Sequence, residues 1–434
     1  MTRIQALRLP TGLPLQRAAL CLVIAMPLAF LYARSLADAM LTVTGALFLL
    51  ETASRARWDW LRRPWVWLAI LFWVWLVLCT LRAGSLHAIA EAVVVVRILL
   101  YVVALESWVL AEPQARRWLA WSYSAAALWI ALQCWQQLLT GHNIMGDPRW
   151  IDGALTGPFY KPRAGPTFLH VFFTGIFPAV VTLLQHPGRP ARAGGLALLL
   201  LAVATMLLIG QRMPSLLMLL GLVLTGLLIR RFRLPLVIAL LAGAVLLALT
   251  PVLSPPTYAK LVVKFAEQMS HFARSAYGQL FTRATVMVEQ HPLMGLGFDG
   301  FRAHCADPRY FRGLPWLGIP DAWNGGLRGC NLHPHNYYLF VASSAGLPGL
   351  ALFVAMVALW LGQMLRGLRP SAETLRAMLF VASAVALWPI ASNTSLFTLS
   401  NAGWLFTTIG WSLAAARGGR AKAGQRPAGP AAAR

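Results

Sequence analysis

Residues 234–253 read LPLVIALLAGAVLLALTPVL, twenty positions without a charged side chain, directly behind Arg230, Arg231 and Arg233. At 1.5 Å per residue this run makes a helix about 30 Å long, enough to cross the hydrocarbon core of a bilayer. Comparable runs recur along the 434 residues, of which 58% are hydrophobic and 12% charged. A soluble domain carries roughly a quarter charged residues, so this chain reads as a polytopic membrane protein. Backbone groups in lipid must satisfy one another, and the runs are continuous rather than alternating. The fold class is therefore all-α, not a β-barrel.

About twelve spans follow from hydropathy: 15–33, 36–53, 64–81, 86–109, 117–139, 167–185, 196–210, 214–230, 234–253, 336–365, 374–391 and 397–416. The first lacks a small-residue cleavage site and reads as an uncleaved helix. Arginines gather in alternate loops: Arg55 to Arg63, Arg116 and Arg117, Arg189 and Arg192, Arg230 to Arg233, and Arg366 to Arg376. Basic residues also mark the tail from Arg417. The positive-inside rule puts all of them, and both termini, in the cytoplasm. The net charge of +23 is thus an orientation signal and not a nucleic-acid surface. Residues 1–416 form one bundle, and 417–434 a basic tail expected to lack structure.

Two segments then lie on the opposite, periplasmic side. Residues 140–166 (TGHNIMGDPRWIDGALTGPFYKPRAGP) read as a Gly- and Pro-rich loop. The large segment 254–335 is longer than a connector needs. Its first part, TYAKLVVKFAEQMSHFARSAYGQLFTRATVMVEQHP, has the periodicity of one or two amphipathic helices lying over the bundle. Cys305 and Cys330 both fall in this segment, where an oxidising compartment permits a disulfide. Two free thiols are the other reading.

Three constellations carry candidate chemistry. Arg212, in the turn GQRMPS, sits at a bilayer boundary, either snorkelling or serving a site. Arg283 sits on an amphipathic helix ahead of Gly295, Gly297 and Gly300, a turn where backbone passes close to something. A solvated helix face is its plainer reading. Lys260, Lys264 and Arg274 read as such surface or headgroup charges. The third is residues 331–349, NLHPHNYYLFVASSAGLPG. A neutral imidazole at His335 suits proton transfer from a hydroxyl nucleophile. Asn336 equally suits a helix N-cap. His333-Pro-His335 lacks the further ligands a zinc site needs, so no metal is expected. Two guanidiniums and an imidazole on one face suit transfer of a group from a diphosphate.

This ordered series resembles the O-antigen ligase and O-antigen polymerase superfamily of bacterial membrane glycosyltransferases. It comprises GQRMPS, the segment R-x7-HPLMGLGFDGF from Arg283, and His335-Asn336 followed, after nine intervening residues, by Gly346-x-x-Gly349. The resemblance implies a metal-independent, inverting transferase of the inner membrane, without a cofactor and with its site facing the periplasm. It implies a glycan donor linked to undecaprenyl diphosphate and, for a ligase, a hydroxyl of lipid A–core as acceptor. Arg212 and Arg283 would bind the diphosphate and His335 would be catalytic. Arg163, Asn336 and His333 would be additional contacts.

Alternatives within the class are an O-antigen or exopolysaccharide polymerase and a protein O-oligosaccharyltransferase. A polysaccharide or lipid transporter is the alternative outside it. Glu91, Arg97 and Glu106 inside span four are its best support, but no repeated halves are visible.

Overall fold

The computed structural model describes residues 14–83, 85–319, 330–390 and 395–424. Their architecture is carried by helices α1 (Pro14–Tyr32), α2 (Arg34–Ser54), α3 (Pro64–Ala83) and α4 (Leu86–Val109). There follow α5 (Pro113–Thr140), α6 (Ala164–Gln185), α7 (Arg189–Ile209), α8 (Arg212–Leu228) and α9 (Arg233–Leu253). The chain continues through α10 (Ala276–Gln290), α11 (Tyr337–Leu365), α12 (Thr374–Ala386) and α13 (Leu399–Gly424). Prolines open α1, α3 and α5, where a missing N–H costs nothing. Left-handed Gly141 and Gly210 close α5 and α7.

Among the described residues, eight helices are long and apolar enough to cross a membrane: α1 to α4, α6, α7, α9 with its leading turn, and α11. The twelve spans expected from hydropathy are not all of this kind. Helices α8 and α12 are apolar but shorter, and α5 and α13 fall outside the eight. The chain is an all-α, multi-pass membrane protein.

Burial ranks the helices. Every residue from Asn401 to Ala416 in α13 is buried, as expected of a helix apolar on all sides at the centre of a bundle. Tyr123 of α5 sets its ring edge-on to Trp404 and Trp411 at 5.3 and 5.4 Å, and Phe30 of α1 meets Trp404 at 4.8 Å. Helix α9 is the opposite case: only Ala239 and Thr250 are buried, so it lies at the edge of the bundle.

Two ion pairs tie elements of the bundle together. Arg97 Nη1 lies 2.5 Å from Asp38 Oδ2, and Arg63 Nη1 lies 2.7 Å from Glu106 Oε2. Trp65 Nε1 also donates to Glu106, at 3.1 Å. Charges in an apolar medium must be matched in this way. Arg97 and Glu106, two of the features that favoured transport, are thereby accounted for as ties between elements, while Glu91 lies 3.4 Å from His87 of its own helix.

At one end of the bundle, the loop face, residues 254–319 fold over the helices. The expected run of amphipathic helix is broken into Lys264–Ser270, a turn at Phe272–Arg274, and α10. Ser275 is the N-cap of α10, accepting from the Gly278 amide at 3.1 Å.

Helix α11 is broken at Gly346, with φ 67° and ψ −171°, a region open to glycine almost alone. The segment after α10 fills the break. Leu296 and Gly297 amides donate to the Ser343 and Ser344 carbonyls at 2.8 and 2.9 Å, and Leu347 donates to Pro292 O at 2.7 Å. Trp75 Nε1 donates to the Ala345 carbonyl at 2.8 Å. The groups freed by the kink are thus satisfied, as burial requires. The glycine turn at 295–300 passes close to α11 itself.

The expected unstructured tail differs at its start: Arg417 to Gly424 continue α13. The helix continues through Gly418 and Gly419, poor helix formers that pack closely here: a Cβ would meet Arg116 at the first and Arg376 and Glu373 at the second.

Candidate functional site

A cleft of about 1280 Å³, partly open to the exterior, lies on the loop face. His335, Tyr277, Arg212, Lys260, His170 and Asn401 are among its lining residues. Each comes from a different element, which is why spacing along the chain does not reveal the set. Beside it runs an apolar groove of about 880 Å³ between α7, α8 and α9, roofed by Leu261 and Phe265. Arg212 lines both cavities.

Arg212 is the first residue of α8, behind left-handed Gly210 and extended Gln211. Its Nη1 donates to the Lys264 carbonyl at 3.2 Å and to the side-chain oxygen of Gln268. Neither partner is a carboxylate, so neither cancels the positive charge. The N-terminus of α8 has no side-chain cap, and Met213 and Pro214 of its first turn also line the cleft. A guanidinium at an uncapped helix N-terminus favours an anion.

His335 has φ 53°, a left-handed conformation that histidine tolerates better than branched residues. Its ring stands edge-on to Tyr277 at 5.4 Å. Asn331 defines its tautomer. The Leu332 amide donates to Asn331 Oδ1 at 2.7 Å, which leaves Asn331 Nδ2 as the donor to His335 Nε2 at 3.0 Å. Nε2 is therefore an acceptor and the ring proton of the neutral imidazole sits on Nδ1.

His333 packs against His335 with ring centroids 4.5 Å apart. Burial, and then the neighbouring His335, push the His333 imidazole down to about 4, so it stays neutral at ordinary pH. Asn336 is the N-cap of α11: its Oδ1 accepts from the amides of Tyr338 and Leu339 at 2.9 and 3.1 Å. Its Nδ2 donates to Pro389 O at 2.6 Å. Of the two readings open to Asn336, the geometry realises the cap. Arg163 precedes α6 between two lining prolines, Pro162 and Pro166, but is not itself among the lining residues.

Arg283 lies elsewhere. It is fully buried, 0% exposed, in a second small core with Leu280, Met287, Phe301 and Tyr310. Its Nη1 donates to the Cys305 carbonyl and to Cys330 Sγ, and its guanidinium stacks 4.3 Å over the Phe311 ring. Burial pushes its pKa down to about 10. A disulfide joins Cys305 and Cys330, whose Cα atoms are 5.3 Å apart. Arg212 lines the cleft, and Arg283 is not among its lining residues. Helix α10 reaches the cleft through Tyr277, while Arg283, six residues on, points into the loop core.

Several lining residues were not singled out from sequence. Lys260, taken there for a surface charge, is in the cleft wall, 15% exposed, with Nζ 2.5 Å from Asp152 Oδ2. At the cleft floor His170 Nε2 lies 2.9 Å from Asn401 Oδ1, and Asn401 Nδ2 donates to the Tyr337 hydroxyl. The one available signal was polarity inside apolar spans at His170 and Asn401.

The segment 197–354 matches the O-antigen ligase family. The match runs from α7 through the break in α11, and so contains Arg212, Lys260, Tyr277, Arg283 and His335. No curated protein matches the chain.

Proposed function

We propose that this chain, a member of the O-antigen ligase superfamily, moves a glycan from undecaprenyl diphosphate to a hydroxyl of lipid A–core on the periplasmic side of the inner membrane. One observation carries the reading: Arg212 lines both an apolar groove and the neighbouring cleft that holds His335, Lys260, His170 and Asn401. A lipid-linked diphosphate has this build, an apolar tail joined through an anion to a hydrophilic glycan. The tail lies against α7, α8 and α9, the diphosphate meets Arg212 and the first turn of α8, and the glycan enters the cleft.

In the transfer, the acceptor oxygen attacks the anomeric carbon from the side opposite the diphosphate. The bond to the phosphate oxygen breaks as the new glycosidic bond forms, which inverts the centre. His335 Nε2 receives or orients the hydroxyl proton once Asn331 gives way. Negative charge growing on the departing diphosphate is stabilised by Arg212 and the α8 amides, an electrostatic role that calls on no metal. Arg283 serves at one remove. It anchors the carbonyl of Cys305 and the sulfur of Cys330, five residues before His335, and so positions the histidine loop.

A polymerase shares this chemistry and differs in its acceptor, the end of another lipid-linked repeat. Expression in two Gram-negative hosts, one without its ligase and one without its polymerase, separates them. Long O-antigen on lipid A–core in the first host supports ligation. A repeat ladder restored only in the second would show polymerisation instead. Product formed by the purified chain from a lipid-linked glycan, without a gradient and with EDTA present, would separate transfer from transport.

A further inference from the structure

The leaving group in this reaction carries at least two negative charges, and Arg212 supplies one positive charge. Among the described residues the cleft lining contains no Asp or Glu, and its one other Lys or Arg is Lys260. Lys260 lies in a π-helical turn, Ala259–Val263, a distortion often found at functional positions. It stands about one turn before Lys264, whose carbonyl receives Arg212 Nη1 at 3.2 Å. The guanidinium is thus docked on the short helical segment that carries the lysine.

Lys260 is already engaged. Asp152 Oδ2, from the loop between α5 and α6, lies 2.5 Å from its Nζ. That loop is fastened to the segment before Lys260 by contacts that do not involve the ion pair. Gly153, at φ 82°, packs on Pro256, where a Cβ would overlap the ring. Arg149 Nη1 donates to Ser254 Oγ at 3.3 Å. Asp152 itself is 33% exposed, against 15% for Lys260, so the carboxylate sits on the accessible side of the pair.

We propose that Lys260 is the second cation of the diphosphate site and that Asp152 is its counter-ion until the donor arrives. This rests on the function proposed above. A phosphate oxygen replaces the carboxylate at Nζ, and no covalent bond changes. Asp152 therefore competes with the donor. Neutralising Lys260 weakens donor binding, whereas neutralising Asp152 strengthens it. A tie that only holds the loop predicts the same sign for both.

The test uses the full chain in nanodiscs titrated with undecaprenyl diphosphate, undecaprenyl monophosphate and undecaprenol, none of which carries a glycan to transfer. Lys260→Gln should weaken undecaprenyl diphosphate by about tenfold or more, the usual effect of losing a charge-assisted bond. It should also narrow the preference for diphosphate over monophosphate. Lys260→Arg should stay within about threefold of the parent, and Asp152→Asn should bind more tightly. Undecaprenol binding should not respond to any of the three. Unchanged diphosphate binding in Lys260→Gln would overturn the assignment, as would Asp152→Asn weakening as much as Lys260→Gln. If the parent prefers diphosphate and only the lysine variants are silent, the assignment of Lys260 alone falls. If the parent binds diphosphate no better than undecaprenol, the proposed function falls with it.

Discussion

Arg212 and Arg283 lie on the same face of the molecule and look alike in sequence, each beside an apolar stretch and near a glycine-containing turn. Their surroundings differ. Arg212 starts a helix, borders two cavities, and is held by one carbonyl and one glutamine, partners that a ligand can replace. Arg283 sits within a helix whose inner face is closed by a ring, a backbone carbonyl and a disulfide sulfur. On the function proposed above, Arg212 serves the substrate through exchangeable partners, and Arg283 serves the fold.

That contrast is open to direct attack. The largest effects belong to the cleft. His335→Ala should lower kcat by about 10²–10⁴, the range for a general base, and Arg212→Ala by about 10²–10³, with the amount of inserted protein unchanged. Full activity in both variants, assayed on lipid-linked glycan, would sink the site.

Arg283→Ala should act through stability. Losing charged hydrogen bonds and the contact with Phe311 costs about 2–4 kcal/mol locally. Hydrogen exchange over residues 276–319 should rise, while donor KM in the folded fraction stays near wild type. A normal exchange pattern with a large increase in donor KM would put Arg283 on the diphosphate and erase the contrast.

Gly346→Ala tests the joint between loop and helix. The backbone conformation alone costs about 1–3 kcal/mol for a residue with a Cβ, and that Cβ would press on the Leu293 carbonyl. Activity should fall with the protection of the Leu296 and Gly297 amides, and preserved protection would argue against the joint.

The smallest effect is a pH response at His333. An opened loop takes up a proton near the ordinary histidine value of 6.5, and the closed loop only near 4. The closed form therefore loses stability as pH falls from about 6.5 to about 4 and levels off below. His333→Gln should remove the corresponding slope in exchange over residues 330–336. Persistence of the slope would assign it to another group.

Much of this was legible in the chain. Uncharged runs such as 234–253 give membrane helices because lipid leaves no other way to satisfy the backbone. Asn336 was readable as a cap because capping is local. Lys260 was not legible, since a lysine in an amphipathic stretch looks the same facing solvent or a cleft. Nor was Asn331, whose importance lies in an amide orientation set by Leu332.

The sequence by itself determined the solvent of this protein, its helical class and the ordered series that ties residues 197–354 to the O-antigen ligases. Those properties depend on composition and on spacing within one element. Only the tertiary structure decided that Lys260 joins Arg212 and His335 around one cleft while Arg283 goes to a separate core. Which face of a helix meets a cavity depends on contacts between elements far apart in the chain, and no local pattern encodes them.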